Sequence, residues 1–290
     1  MNPRSLEFTT LVAFTGPGFY TAAPLTLGRD GEFYGSTISS DRVAYFGGTL
    51  FRTTSSGSLT TLFSFTNSLD GSRPIGSLLQ TADGGWYGVT YAGGAHDAGT
   101  VFKFTPAGCF KSLYSFGSIT NWDGSALDGA SPCAGLALGL DGNLYGSTSS
   151  GGYSNHGTIF RISADGVLQT LVWLNDATGA KPADPLVLGP DGNFYGTGTY
   201  GGTRDYGSIF RMSIEWPLQI KLLSASGGTI QFAWNTKPGR TFQVEVSDDL
   251  NRQSWGVRGP SLVADGVQLI VSEPITNAHR FYRVVQVLSE

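Results

Sequence analysis

Apolar and polar positions along most of this chain fall into short runs with the two-residue alternation of strands, and the runs return in a fixed order. In one copy Leu136-Ala137-Leu138 meets Asp141-Gly142, and Leu144-Tyr145-Gly146-Ser147-Thr148 follows. A Gly151-Gly152 loop leads to Gly157-Thr158-Ile159-Phe160-Arg161-Ile162, and Ala164-Asp165-Gly166 turns into Leu168-Gln169-Thr170-Leu171-Val172-Trp173-Leu174. Asp-Gly between apolar runs is a tight hairpin signal, because Gly accepts the positive φ that such a turn demands. The order predicts a four-stranded antiparallel meander, strands a to d.

The Asp-Gly pair opens at 30, 83, 141 and 191, a period of 50 to 58 residues that suits a propeller blade or array unit rather than a helical solenoid. Strand d recurs at Leu59 to Phe65, Phe110 to Phe116 and Leu168 to Leu174, but no d strand follows Gly207-Ser208-Ile209-Phe210-Arg211. An orphan of the same pattern, Phe8 to Phe14, stands at the front of the chain. The two ends complement each other, so the expected fold is all-β: a four-bladed β-propeller closed by the N-terminal strand, followed by a small β-sandwich. An open stack, or two chains sharing a larger ring, are the alternatives.

From Pro217 the repeat stops. Residues 218–224, 229–234, 241–247, 253–258, 267–272 and 280–287 read as short strands separated by turns, with Trp234 on an inner face. The expected domains are therefore 1–216, the propeller, and 217–290, the sandwich.

Composition narrows the partners. Charged residues make up 14% of the chain and the net charge is −4, so there is no basic stripe for a phosphate backbone and nucleic acid is not expected. No apolar run reaches the roughly 20 residues of a membrane span, and the opening Met1 to Phe8 lacks the apolar segment of a signal peptide. The blade plan puts Cys109 and Cys133 about a strand length, roughly 17–20 Å, apart. Both are therefore expected as free thiols.

Gly142-Asn143-Leu144-Tyr145-Gly146-Ser147-Thr148, the Gly151 to Arg161 run, the Leu-x-x-Leu-x-x-Phe strand and Asp-Gly-x-x-Pro at 70–74 and 128–132 together resemble the GloVer tandem repeats, over roughly residues 5–215. The strand plan is also similar to NHL-type propeller repeats, and residues 218–288 resemble immunoglobulin- or fibronectin-III-like modules. The resemblance implies an exported or cell-surface bacterial protein and brings no catalytic motif with it.

Ligands are expected where the longer loops gather. The b–c loops carry Tyr91, His96 and Asp97, then Tyr153, Asn155 and His156, then Tyr200, Arg204 and Asp205. Aromatic rings beside short polar groups suit sugars, so carbohydrate or another surface protein is the expected partner of a non-catalytic binding or scaffold protein. Packing between blades is the competing use of the tyrosines. Two histidines without a third ligand make no zinc site, the Asp-Gly turns lack the calcium-loop pattern, and no cofactor motif is read. The alternative function is a propeller hydrolase acting on polysaccharide or lactone. Its carboxylates would be Asp184, beside the start of an inner strand, and Asp128, a few residues before another.

Overall fold

A computed structural model describes residues 8–14, 19–21, 23–39, 47–66, 68–249, 255–275 and 280–287. Leu6, Glu7, the Gly16-Pro17-Gly18 loop and Gln253 lie outside these residues. The described chain is all-β. The first sheet holds β1 (Phe19–Thr21), β2 (Thr26–Leu27), β3 (Phe33–Ser39), β4 (Gly48–Thr53) and β5 (Leu59–Phe65), and the second β6 (Leu79–Gln80), β7 (Trp86–Thr90), β8 (Thr100–Phe104) and β9 (Phe110–Ser115). The third holds β10 (Ala130–Pro132), β11 (Ala137–Leu138), β12 (Leu144–Ser150), β13 (Thr158–Ile162) and β14 (Leu168–Trp173). The fourth has β15 (Val187–Leu188), β16 (Phe194–Gly198) and β17 (Ser208–Met212).

Strand a departs from the expected plan. In the first and third sheets it is two short pieces, β1 with β2 and β10 with β11, both paired to the same strand b. Within β10, Ser131 stands at φ 54° and the proline that follows has no N–H for the ladder. Arg73 and Lys181 hold the same place before Pro74 and Pro182, at φ 57° and 49°.

The Tyr-Gly of strand b and the Phe of strand c form one device. Gly146 pairs with Phe160 across the ladder, and a Cβ on Gly146 would come within 2.5 Å of the Phe160 Cζ. The ring lies over the bare backbone, which is why glycine is required beside the tyrosine. Gly35 with Phe51 and Gly88 with Phe102 repeat the arrangement.

Strands c and d carry the same irregularity three times, between Leu50 and Phe51, Val101 and Phe102, and Ile159 and Phe160. The register leaves Leu62, Leu113 and Leu171 as the extra residues, so the central Leu of Leu-x-x-Leu-x-x-Phe is a β-bulge.

Successive sheets of the first three bury apolar faces against each other. Tyr34, Leu50 and Phe65 pack on Leu78, Trp86, Phe102 and Phe104, with Tyr34 stacked on Trp86 at 4.1 Å. Tyr87, Val89, Val101 and Phe116 pack on Leu136, Leu144, Phe160 and Ile162 in the same way.

The expected ring closure is not seen among the described strands. The segment Phe8 to Phe14 forms no described strand; Phe14 packs edge-on against Phe51 of the first sheet at 5.3 Å. Among the described strands β17 is hydrogen-bonded to β16 alone. The segment packs on the first sheet's apolar face, where a closing strand would also lie, but among the described strands no hydrogen bonding joins it to β17.

After the repeat come β18 (Ile220–Ser226), β19 (Thr229–Asn235), β20 (Thr241–Ser247), β21 (Gly256–Val263), β22 (Gln268–Pro274) and β23 (Phe281–Val287). They form two three-stranded antiparallel sheets, β18-β19-β22 and β21-β20-β23. Phe232 and Trp234 of one sheet share a core with Phe242, Val244 and Val284 of the other. By contact density the chain divides into two units. One is Met1–Leu138, Asn143–Val187 and Gly196–Phe210; the other is Gly139–Gly142, Leu188–Tyr195 and Arg211–Glu290.

Burial and a carboxylate partner push the phenols of Tyr34 and Tyr114 up to about 12. Tyr34 donates to Asp30 Oδ2 and Tyr114 to Asp128 Oδ2, each at 2.7 Å. Their folded values lie above the ordinary 10.0, so their contribution is fully present below pH 10 and lost as pH rises toward 12. Thermal unfolding followed between pH 9 and 12 should show the melting temperature falling across that window together with phenolate absorbance; a flat profile would contradict this.

Candidate functional site

The inner segments that lead into strand a approach one another closely. A Cβ on Gly76 would lie 2.8 Å from the Ala134 backbone, so small residues are demanded there between the second and third sheets. Counting back from the leucine that opens strand a (Leu25, Leu78, Leu136, Leu186), the equivalent positions are Ala23, Gly76, Ala134 and Asp184. Three repeats place a small residue here, and the fourth places an exposed carboxylate.

Asp184 is held by Thr197 of its own sheet, and its charge reaches Cys133 of the third. Thr197 of β16 donates its hydroxyl to Asp184 Oδ2 at 3.1 Å. Cys133, from the third sheet's inner segment, donates its thiol to the Pro182 carbonyl at 3.0 Å. Burial pushes the Cys133 thiol up and the Asp184 charge adds to the shift, so Cys133 is a neutral donor rather than a thiolate nucleophile. Ser149 Oγ donates to the Ser131 carbonyl at 2.9 Å. Ser147, at the position of Thr197 one repeat earlier, buries a hydroxyl that has no hydrogen-bond partner. Cys109 is exposed, and both cysteines are free.

The loop residues divide into those the fold uses and those it leaves outward. Asp97, Asn155 and Asp205 stand at φ 54°, 53° and 58°, and each side chain accepts the N–H of the glycine four residues back, at 2.9, 2.8 and 2.7 Å. They brace their own loops. Tyr91 lies under the Arg73 guanidinium at 4.7 Å, and Tyr153 packs on Trp173 at 4.9 Å. His96 and Arg204 are exposed.

One group of loop residues is brought together around Lys181. The N–H of Lys181 donates to the His156 carbonyl at 2.8 Å, and its ammonium lies 5.5 Å from the Tyr200 ring centroid. His156 Nδ1 lies 3.5 Å from Asp176 Oδ1. Lys181 precedes Asp184 by three residues on the same segment, so the loop group and the carboxylate share one piece of backbone. The comparison of equivalent positions could have singled out Asp184 from sequence; its neighbours Cys133 and Thr197 come from different repeats and carry no such signal.

Asp128, the other carboxylate named from sequence, is corrected to a structural role. It is 1% exposed and accepts hydrogen bonds from the Tyr114 hydroxyl, the Gly117 and Ser118 N–H groups and the Ser118 hydroxyl. Asp70 does the same for Thr66 and Ser68. Among the described residues no group of three or more His, Cys, Asp or Glu is placed to hold a metal, and no helix is long and apolar enough to cross a membrane.

Residues 1–127 and 120–230 each match the Gloeobacter/Verrucomicrobia repeat. No curated protein matches the chain. Among solved structures it is similar to a gluconolactonase from Xanthomonas campestris, at 14% identity and TM-score 0.40, covering 72% of this chain and 67% of that one. It is also similar to a xylan β-1,4-xylosidase from Bacillus halodurans, at 12% identity and TM-score 0.37, covering 92% and 88%. Against the expectation of a non-catalytic binding protein, the solved structures to which the chain is similar are named for hydrolases. No residue role is carried over from either.

Proposed function

The chain belongs to the Gloeobacter/Verrucomicrobia repeat family, and we propose that it is a hydrolase whose reactive group is Asp184, acting on a sugar-derived lactone or ester. The observation that carries this reading is the break in the repeat: where Ala23, Gly76 and Ala134 stand, the fourth unit exposes a carboxylate beside the hydroxyl of Thr197. A carboxylate in this setting serves as a general base, with Thr197 fixing its orientation. Asp184 takes a proton from water as the water oxygen bonds to the acyl carbon. The ring C–O bond then breaks, and the proton passes to the departing oxygen to give a hydroxy acid.

Acyl chemistry suits the site better than glycoside cleavage, which uses two carboxylates about 5–9.5 Å apart. Asp128 is committed to its own turn. His156 and Tyr200 would contact the sugar, the ring stacking on its apolar face. Tyr91, His96, Asp97, Tyr153, Asn155, Arg204 and Asp205 form the wider rim in this proposal. The same reading takes residues 1–216 as four NHL-like blades, 217–290 as an immunoglobulin- or fibronectin-III-like module, and the protein as exported.

The test is hydrolysis of gluconolactone and a panel of sugar lactones and acetyl esters by the full chain. Asp184→Asn is expected to lower turnover by about 10²–10⁴-fold, the range for a lost general base. Wild-type rates no faster than buffer across the panel would contradict the reading.

A further inference from the structure

We infer that the first and fourth sheets of this protein are the two halves of an interface between copies of the chain: the fourth sheet of one copy seats on the first sheet of another and takes that copy's Phe8–Phe14 segment as its outer strand. The inference is independent of the hydrolase reading.

The template lies within the chain. At the filled junctions, a strand-c residue of one sheet, Leu50 or Val101, is wholly buried with the apolar residues of the next sheet. Ile159 of the third sheet is likewise 1% exposed. Ile209 is the fourth member of this set and is 83% exposed. It is a donor without a receiver.

The first sheet has the converse. Its residues equivalent to Leu78, Trp86, Phe102 and Phe104 are Leu25, Phe33, Phe51 and Thr53. Instead of a filled core they line, with Leu11 and Phe14, an apolar cavity of about 390 Å³. Phe14 already occupies the place that Phe65 and Phe116 take at the filled junctions, and the carbonyl of Leu11 lies against Gly57 as that of the bulged Leu113 lies against Gly166. The segment 8–14 therefore sits where the outer strand of a preceding sheet belongs.

The occupant is a second copy because, among the described residues, receiver and donor are both left open: β17 is bonded to β16 alone, Ile209 faces outward, and Phe8 is 94% exposed. An unpaired strand edge with an apolar face is a ready template for another chain. The contact is head-to-tail, with different surfaces on the two partners.

Light scattering on the full chain tests this. Wild type is expected at a multiple of its 30.7 kDa mass, rising with concentration. Ile209→Asp blocks one surface and Leu11→Asp the other, and both positions are exposed, so each variant should remain folded by circular dichroism and run as a monomer. Mixed, the two variants retain one matched pair of surfaces and should form a 1:1 dimer that neither forms alone. A wild type that stays monomeric at all concentrations would overturn the inference, as would a mixture that stays monomeric. Closure within one chain would give the first of these results.

Discussion

Phe160→Ala is expected to destabilise the repeat unit by about 3–5 kcal/mol, the cost of removing a fully buried aromatic from a core that cannot collapse around the gap. Phe160 is 0% exposed, meets Phe116 edge-on at 5.1 Å across the junction of the second and third sheets, and covers Gly146 in its own sheet. The substitution removes apolar burial, an aromatic pair and the cover over a bare stretch of strand at once. Urea unfolding should show a lower midpoint. Phe160→Leu restores part of the volume but leaves Gly146 uncovered, so it should recover part of the loss. A midpoint for Phe160→Ala within error of wild type would show that the ring is not the keystone of this junction.

Asp128→Ala should cost at least about 3 kcal/mol, because hydrogen bonds to a buried charged group are worth about 1.5–3 kcal/mol each and their orphaned donors add to the loss. Four donors lose their acceptor together: the Tyr114 hydroxyl, the N–H groups of Gly117 and Ser118, and the Ser118 hydroxyl. Asp70 is the matched control. It accepts from Thr66 and Ser68 in the equivalent turn but is only half-buried, so water can replace it and Asp70→Ala should cost less. In the next repeat Thr178 stands at this position and takes the Asn175 N–H at 3.0 Å. Equal unfolding midpoints for Asp128→Ala and Asp70→Ala would contradict this account of the Asp-Gly-x-x-Pro motif.

Elements whose cause is local were legible in the sequence. Thr241–Ser247 is the strand expected over those residues, and Thr229–Asn235 and Phe281–Val287 lie within one residue of it at either end. The Asp-Gly turns and the c strands follow equally from periodicity and turn chemistry. One strand of the C-terminal sheets is displaced: residues 253–258 were expected, and Gly256–Val263 forms, because the bulge between Phe242 and Val244 shifts the register of the pair. The split of strand a was not legible, since positive φ at Arg73, Ser131 and Lys181 is imposed by contacts with the preceding repeat, such as Lys181 N–H to His156 O. Ring closure was expected from matching patterns at the two ends, but pattern shows what can pair, not what does pair. For the site, Asp184 was visible as a carboxylate, whereas the thiol and hydroxyls around it depend on how two repeats meet.

Asp184→Ala, with turnover and unfolding measured on the same sample, tests the central claim most directly, because it restores the residue type that Ala23 and Ala134 supply in other repeats. If the carboxylate is there for chemistry, lactone hydrolysis is lost while the urea midpoint stays at or above that of wild type. Retained hydrolysis, or a clear fall in the midpoint, would show instead that Asp184 belongs to the framework.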